Sequence, residues 1–291
     1  MKDLSNIDLI RWKAIITDVL REFQEICRRH QLSYYAIGGT AIGAVRHHGI
    51  IPWDDDIDVG MPRPDFERFL EICRNSDLGD FELVSSETHS DYNLPFPKFC
   101  SKTTTLVERS DVPCVIGLFI DVFPLDSTSD DIDEVKTLVH RYRKLMNRYE
   151  SICTHSTFLQ YLALLLKPAK WGRFVYKTLG FFFRKPFKRY LLRQMNGICQ
   201  RYSYGDTSYV INYGGAYGVR ELFRSSVLEG QPVSIPFENL TIDLMPGYDE
   251  YLRGVYGNYM QMPPEEKRIA HHKKAFFDLD KRIESPFTLE L

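Results

Sequence analysis

Pro52-Trp53-Asp54-Asp55-Asp56-Ile57-Asp58-Val59-Gly60 places four carboxylates in five residues, beside the β-branched apolar residues Ile57 and Val59. Unpaired carboxylates are very costly to bury, so this run calls for a counter-charge. On a strand, side chains alternate, and Asp54, Asp56 and Asp58 then project to one face. Carboxylates side by side form a hard, oxygen-rich site for which Mg²⁺ or Mn²⁺ is the natural occupant. A solvated acidic loop or a Ca²⁺ site is the plainer alternative, and the apolar flanks speak against a loop.

Upstream, Ile37-Gly38-Gly39-Thr40 lies between a strand at Tyr34–Ile37 and a helix from about 40 to 47. Glycines there let backbone N–H groups approach an anion, and a helix N-terminus favours phosphate. Further out, Ile16, Val19, Leu20, Phe23 and Cys27 follow helical spacing and predict a helix over 6–31. Pro62 is expected to open a helix to about 74. Strands are expected at Phe81–Val84, Phe96–Cys100 and Leu118–Phe123. Strands and helices in this order predict a mixed α/β (α+β) sheet. Beyond 131 the pattern is helical to about 203, then turns and strands from 208 to 244. A helix near 249–256 is the last element read. The expected division is a catalytic core over 1–126, a basic helical region over 127–207 and a C-terminal lobe over 208–291 that completes the site as one unit with the core.

The chain has 291 residues, 44% hydrophobic and 26% charged, with net charge −2. These are globular values, and a general nucleic-acid binder would carry a basic excess. Six scattered cysteines form no metal-like or redox pair and read as reduced thiols of a cytoplasmic protein. No signal-peptide pattern and no bilayer-length apolar run is read. Residues 151–205 hold ten Lys and Arg and no Asp or Glu, interleaved with Trp171, Phe174, Phe181, Phe182, Phe183 and Phe187. Such a segment suits an anionic membrane surface, so a peripheral position on the inner membrane face is expected; a solvated basic face of a helical bundle is the alternative.

A Gly-Gly turn followed by an Asp-x-Asp on the next strand resembles the nucleotidyltransferase superfamily, whose fold is polymerase β-like. The run from Ile37 through Arg46-His47-His48-Gly49 to Asp58-Val59 resembles the LicD family more narrowly. Phe119-Ile120-Asp121-Val122-Phe123-Pro124-Leu125-Asp126, Gly214-Gly215 through Glu221, and Tyr256 to Arg268 with His271-His272 also fit, so the likeness spans roughly 30–272. LicD proteins transfer phosphocholine to bacterial surface glycans and are related to fukutin-type ribitol-phosphate transferases. The resemblance implies a CDP-choline or related CDP- or CMP-linked donor and a glycan hydroxyl acceptor, built in some pathways on a polyprenyl carrier. It implies Asp56, Asp58 and Asp121 as catalytic metal ligands, with Asp121 as ligand or base; by its period-two alignment with Asp56, Asp54 ranks above Asp55 as a further ligand or a supporting partner. Gly38, Gly39, Thr40, Arg46, Lys98 and Arg63 are the expected phosphate contacts. Trp53, Tyr213, Arg268, His271 and His272 are candidate substrate contacts. Adjacent histidines on a helix point about 100° apart, so His271 and His272 are not expected to share an ion. Two other readings remain: a nucleotidyltransferase that releases pyrophosphate, and a non-catalytic glycan-binding or assembly protein with a relic site.

Overall fold

The computed structural model describes residues 6–154, 171–172, 183–268 and 274–283. In chain order the elements are α1 (Asn6–His30), β1 (Tyr35–Ala36), α2 (Gly38–His47), β2 (Asp58–Pro62), α3 (Arg63–Asn75), β3 (Phe81–Val84), β4 (Lys98–Ser101), β5 (Thr105–Val107) and β6 (Phe119–Thr128). Then come α4 (Ile132–Cys153), α5 (Arg184–Cys199), β7 (Tyr209–Ile211), β8 (Leu222–Arg224), β9 (Val233–Phe237), β10 (Leu240–Leu244), α6 (Tyr248–Tyr256) and β11 (Phe276–Asp278).

The long strand β6 organises the sheet, whose order is β1-β2-β6-β4-β3. β2 runs parallel to the first half of β6, and β4 antiparallel to it. The second half of β6 carries β7, and β7 carries β8. On α1, Trp12, Ile16, Val19, Leu20, Phe23, Ile26 and Cys27 fall at helical spacing and are all buried. This stripe packs over β4 and β6; burying such side chains stabilises by about 1.5–3 kcal/mol each.

The same apolar core takes in Phe237, Ile242, Leu244, Tyr251, Leu252, Val255 and Phe277. The C-terminal region therefore shares the core of the N-terminal one. β6 runs unbroken through the boundary expected at 126. A second cluster joins α4 and α5 through Leu138, Tyr142, Leu191 and Met195, and includes Ile211 and Tyr213.

The helix expected to open at Pro62 does so: Pro62 ends β2 opposite Leu125 and is the N-cap of α3, with Pro64 in the first turn. Two expectations need correction. α2 begins at Gly38, so both glycines lie in its first turn. The ordered chain also continues past 256: β11 pairs antiparallel with β5, Phe276 opposite Val107. Strands of three residues are too short to show a period.

All six cysteines are buried and free. Burial pushes the Cys73 and Cys114 thiols up to about 12, which leaves them inert at neutral pH. Much of the basic segment lies outside the described residues. Within it, Lys188 is buried, and its ammonium donates to the carbonyls of Ser90 (2.6 Å) and Tyr92 (3.0 Å). It therefore does not belong to a solvated basic face. Among the described residues, no helix is long and apolar enough to cross a membrane.

Candidate active site

Strand register builds the centre. Asp58 lies opposite Asp121 across β2 and β6, and Lys98 lies opposite Asp121 across β4 and β6. Directly opposed residues share a face, and neighbouring strands are about 4.8 Å apart. Two carboxylates and an ammonium therefore line up across three strands. Asp56 joins from the segment before β2, and oxygens of Asp56, Asp58 and Asp121 lie within 4.8 Å of one another.

The approach to β2 is not the regular strand expected from the alternation. The strand begins only at Asp58. Asp54 N–H donates to Ile51 O at 2.8 Å, which makes a turn. Trp12 Nε1 then holds Asp55 O at 2.8 Å. The Asp55 carboxylate is buried against the Lys274 ammonium, so Asp55 is a structural anchor. Asp54, Asp55 and Asp56 form a second close group, and Asp54 lines the same cavity as Asp56 and Asp58.

Backbone anchors fix the carboxylates. Thr40 Oγ1 accepts from Asp58 N–H at 2.8 Å, and Asp121 N–H donates to Ile57 O at 2.8 Å. Thr40 thus positions Asp58 and is not among the cavity-lining residues. The glycines are required by contact. A Cβ on Gly38 would stand 3.1 Å from Asp58 Oδ2, and one on Gly39 2.8 Å from Asp54 Oδ2. Gly38 also has φ +58°, a conformation that glycine adopts at no steric cost.

Burial raises the Asp56 carboxyl well above its ordinary range, and the charges of Asp58 and Asp54 add to that. Lys98 is the buried cation beside the cluster, with Nζ 2.9 Å from Asp121 Oδ1 and 3.6 Å from Glu108. Burial opposes the Lys98 charge, yet Asp121 and Glu108 more than offset it, and the ammonium's pKa is raised. Its Nζ also sits 3.3 Å from the Phe119 ring centroid. Asp121 Oδ2 accepts from the same ammonium at 3.2 Å, so both carboxylate oxygens face Lys98. The converging carboxylates of Asp56, Asp58 and Asp121 form an all-oxygen donor set that fits a hard divalent cation.

A cavity of about 1060 Å³ opens over the cluster. Gly38, Gly39, Arg46, Trp53 and Lys98 line it. Arg46 Nη1 donates to Tyr259 O (2.8 Å) and Gln261 O (3.3 Å). The Arg268 guanidinium lies 5.6 Å from the centroid of the Trp53 ring. His271 and His272 lie outside the described residues.

Two expected contacts lie elsewhere. Tyr213 is a core residue, with its hydroxyl 2.8 Å from Thr128 Oγ1 and its ring against Tyr142; Tyr217, four residues on, lines the cavity instead. Arg63 does not line the cavity. It makes a two-pronged ion pair with buried Asp126, at 2.6 and 2.7 Å. Arg63→Lys keeps the charge but loses the fork. It is expected to cost about 1.5–3 kcal/mol of stability in urea unfolding, without changing ligand affinity at the acidic cluster.

The mixed sheet, with carboxylates on adjacent strands below a glycine-opened helix, is consistent with a nucleotidyltransferase-like α+β fold. Residues 31–164 match the family model described as LicD/FKTN/FKRP, nucleotidyltransferase domain. It is 27% identical over 286 residues to the lipopolysaccharide cholinephosphotransferase LicD of Haemophilus influenzae, covering 92% of this chain and 97% of that protein. Shorter matches occur to uncharacterized proteins of Rickettsia typhi and Rickettsia prowazekii. They are 39% identical over 54 residues and 40% over 88, covering 19% and 24% of this chain and 18% and 33% of those proteins.

Proposed function

We propose that this chain moves phosphocholine from CDP-choline to a hydroxyl of a bacterial surface glycan, with Mg²⁺ or Mn²⁺ held by Asp56, Asp58 and Asp121. The observation that carries the reading is the convergence of these carboxylates within 4.8 Å in a chain similar over nearly its whole length to a cholinephosphotransferase. In the reaction, the acceptor oxygen bonds to the phosphorus of phosphocholine. The bond from that phosphorus to CMP breaks, CMP departs, and the hydroxyl proton passes to a carboxylate of the cluster. A bound divalent ion supplies charge neutralisation at the phosphate oxygens.

The chain's own residues do the rest. Asp58 and Asp121 are held by backbone anchors before substrate arrives, so little reorganisation is needed. Lys98 orients Asp121 and limits repulsion within the cluster. Arg46 and the first turn of α2 present positive charge to phosphate oxygens. Trp53 offers a face for stacking the cytosine.

EDTA treatment of the purified protein is expected to stop CMP release and phosphocholine transfer, and Mg²⁺ or Mn²⁺ to restore both. Full activity after chelation would reject the metal role. Pyrophosphate as by-product would favour the nucleotidyltransferase reading.

The described part of the basic segment supports peripheral membrane docking: Lys185, Arg189, Tyr190 and Arg193 are exposed on α5, beside exposed Phe183. Co-sedimentation with anionic but not zwitterionic vesicles is the expected result, weakening as salt rises. Equal recovery in the supernatant with both would reject docking.

A further inference from the structure

We propose that Tyr217, Tyr251, Tyr256 and Glu221 form the part of the cavity that receives the trimethylammonium group of the donor. This rests on the phosphocholine reading above and adds which residues select the head group.

Tyr251 and Tyr256 come from α6, Tyr217 and Glu221 from the turn before β8, and the four side chains meet at the cavity wall. The rings of Tyr217 and Tyr256 are 4.9 Å apart at 75°, an edge-to-face pair. Tyr256 Oη and Asp58 Oδ2 lie 3.5 and 3.1 Å from one point, where a Cβ on Gly38 would stand. The aromatic corner is therefore immediately beside the acidic cluster. Tyr251 reaches the same place, accepting weakly from Gly38 N–H at 3.4 Å. Burial pushes the phenols of Tyr251 and Tyr256 up, so both rings stay neutral.

Glu221 supplies the charge. Its side chain lines the cavity but is almost wholly buried, with the residue 5% exposed. It fits because residue 215 is glycine; a Cβ there would stand 2.4 Å from Glu221 Cδ. Its Oε1 accepts from Tyr217 N–H at 3.1 Å. Burial raises its carboxyl pKa, while that N–H and the charges of Arg143 and Arg220 oppose the rise. Neither arginine forms an ion pair with it: Arg143 Nη2 donates to Gly215 O, and the Arg220 guanidinium lies 5.7 Å from the Tyr217 ring centroid. Tyr217 thus already presents one face to a cation.

A quaternary ammonium donates no hydrogen bonds. Aromatic faces and a nearby carboxylate suit it, and polyol head groups gain little there. Elsewhere in the cavity wall Arg46 and Lys267 accompany Trp53, with Arg268 over the indole. That region repels a quaternary cation and suits the nucleotide.

The test is calorimetric titration of the full chain with CDP-choline, CDP-glycerol and CMP in the presence of Mn²⁺. Tyr217 is 46% exposed, so its variants are expected to fold. Tyr217→Leu and Glu221→Gln should each weaken CDP-choline binding about tenfold and leave CDP-glycerol and CMP unchanged. Tyr217→Phe keeps the ring face and should restore CDP-choline binding. Unaltered CDP-choline affinity in both variants overturns the proposal while the transferase reading stands. So does an equal loss for all three ligands. If the wild-type protein binds no cytidine compound, the transferase reading fails and this proposal with it.

Discussion

Asp58→Asn is expected to lower turnover by about a thousandfold or more while the protein stays folded. Asparagine keeps the shape and removes the charge. Asp58 contributes one of three carboxylates that meet within 4.8 Å, and its backbone N–H, held by Thr40, is untouched by the change. Phosphoryl transfer depends chiefly on positioning and electrostatic stabilisation, so a missing charge at the centre is felt mostly in the transition state. Stability should hold or rise, because Asp58 raises the cost of ionising buried Asp56. The measurement is CMP release under saturating donor, beside a urea unfolding curve. Turnover near wild type would remove Asp58 from the mechanism.

Lys274→Met is expected to cost about 3–5 kcal/mol of stability, because removing one member of a buried ion pair strands the other. The side chains of Lys274 and Asp55 are 8% and 1% exposed. Lys274 Nζ also lies 5.2 Å from the Trp12 ring centroid, and the Trp12 indole holds Asp55 O. One cation thus ties the C-terminal strap to α1 and to the acidic turn. Adding Asp55→Asn to Lys274→Met removes the stranded charge and should recover much of the loss. A single variant within about 0.5 kcal/mol of wild type in urea unfolding would show that the pair holds nothing together.

The centre of the fold was legible because its signals are local and chemical. Asp56, Asp58 and Asp121 converge in space, while Lys98, expected at phosphate, pairs with Asp121 and Glu108. The alternation argument for residues 54–58 assumed a strand that begins only at Asp58, yet Asp56 and Asp58 still converge. Arg63 was misplaced because a cation after the acidic strand looks the same whether it faces phosphate or Asp126. Lys274 left no signal at all; its partner is 219 positions away and β11 has three residues. Glu221 was recognised as part of a motif, but its burial among tyrosines comes from α6 packing on β8, a contact no periodicity reports.

The most direct test of the central claim needs no acceptor: calorimetric titration of CDP-choline into the wild-type protein and into Asp58→Asn, each with and without Mg²⁺. Binding to the wild type that requires the metal and is lost in Asp58→Asn is the result this account predicts. Binding of ATP with no cytidine compound bound, or CDP-choline binding indifferent to both metal and Asp58, would contradict it.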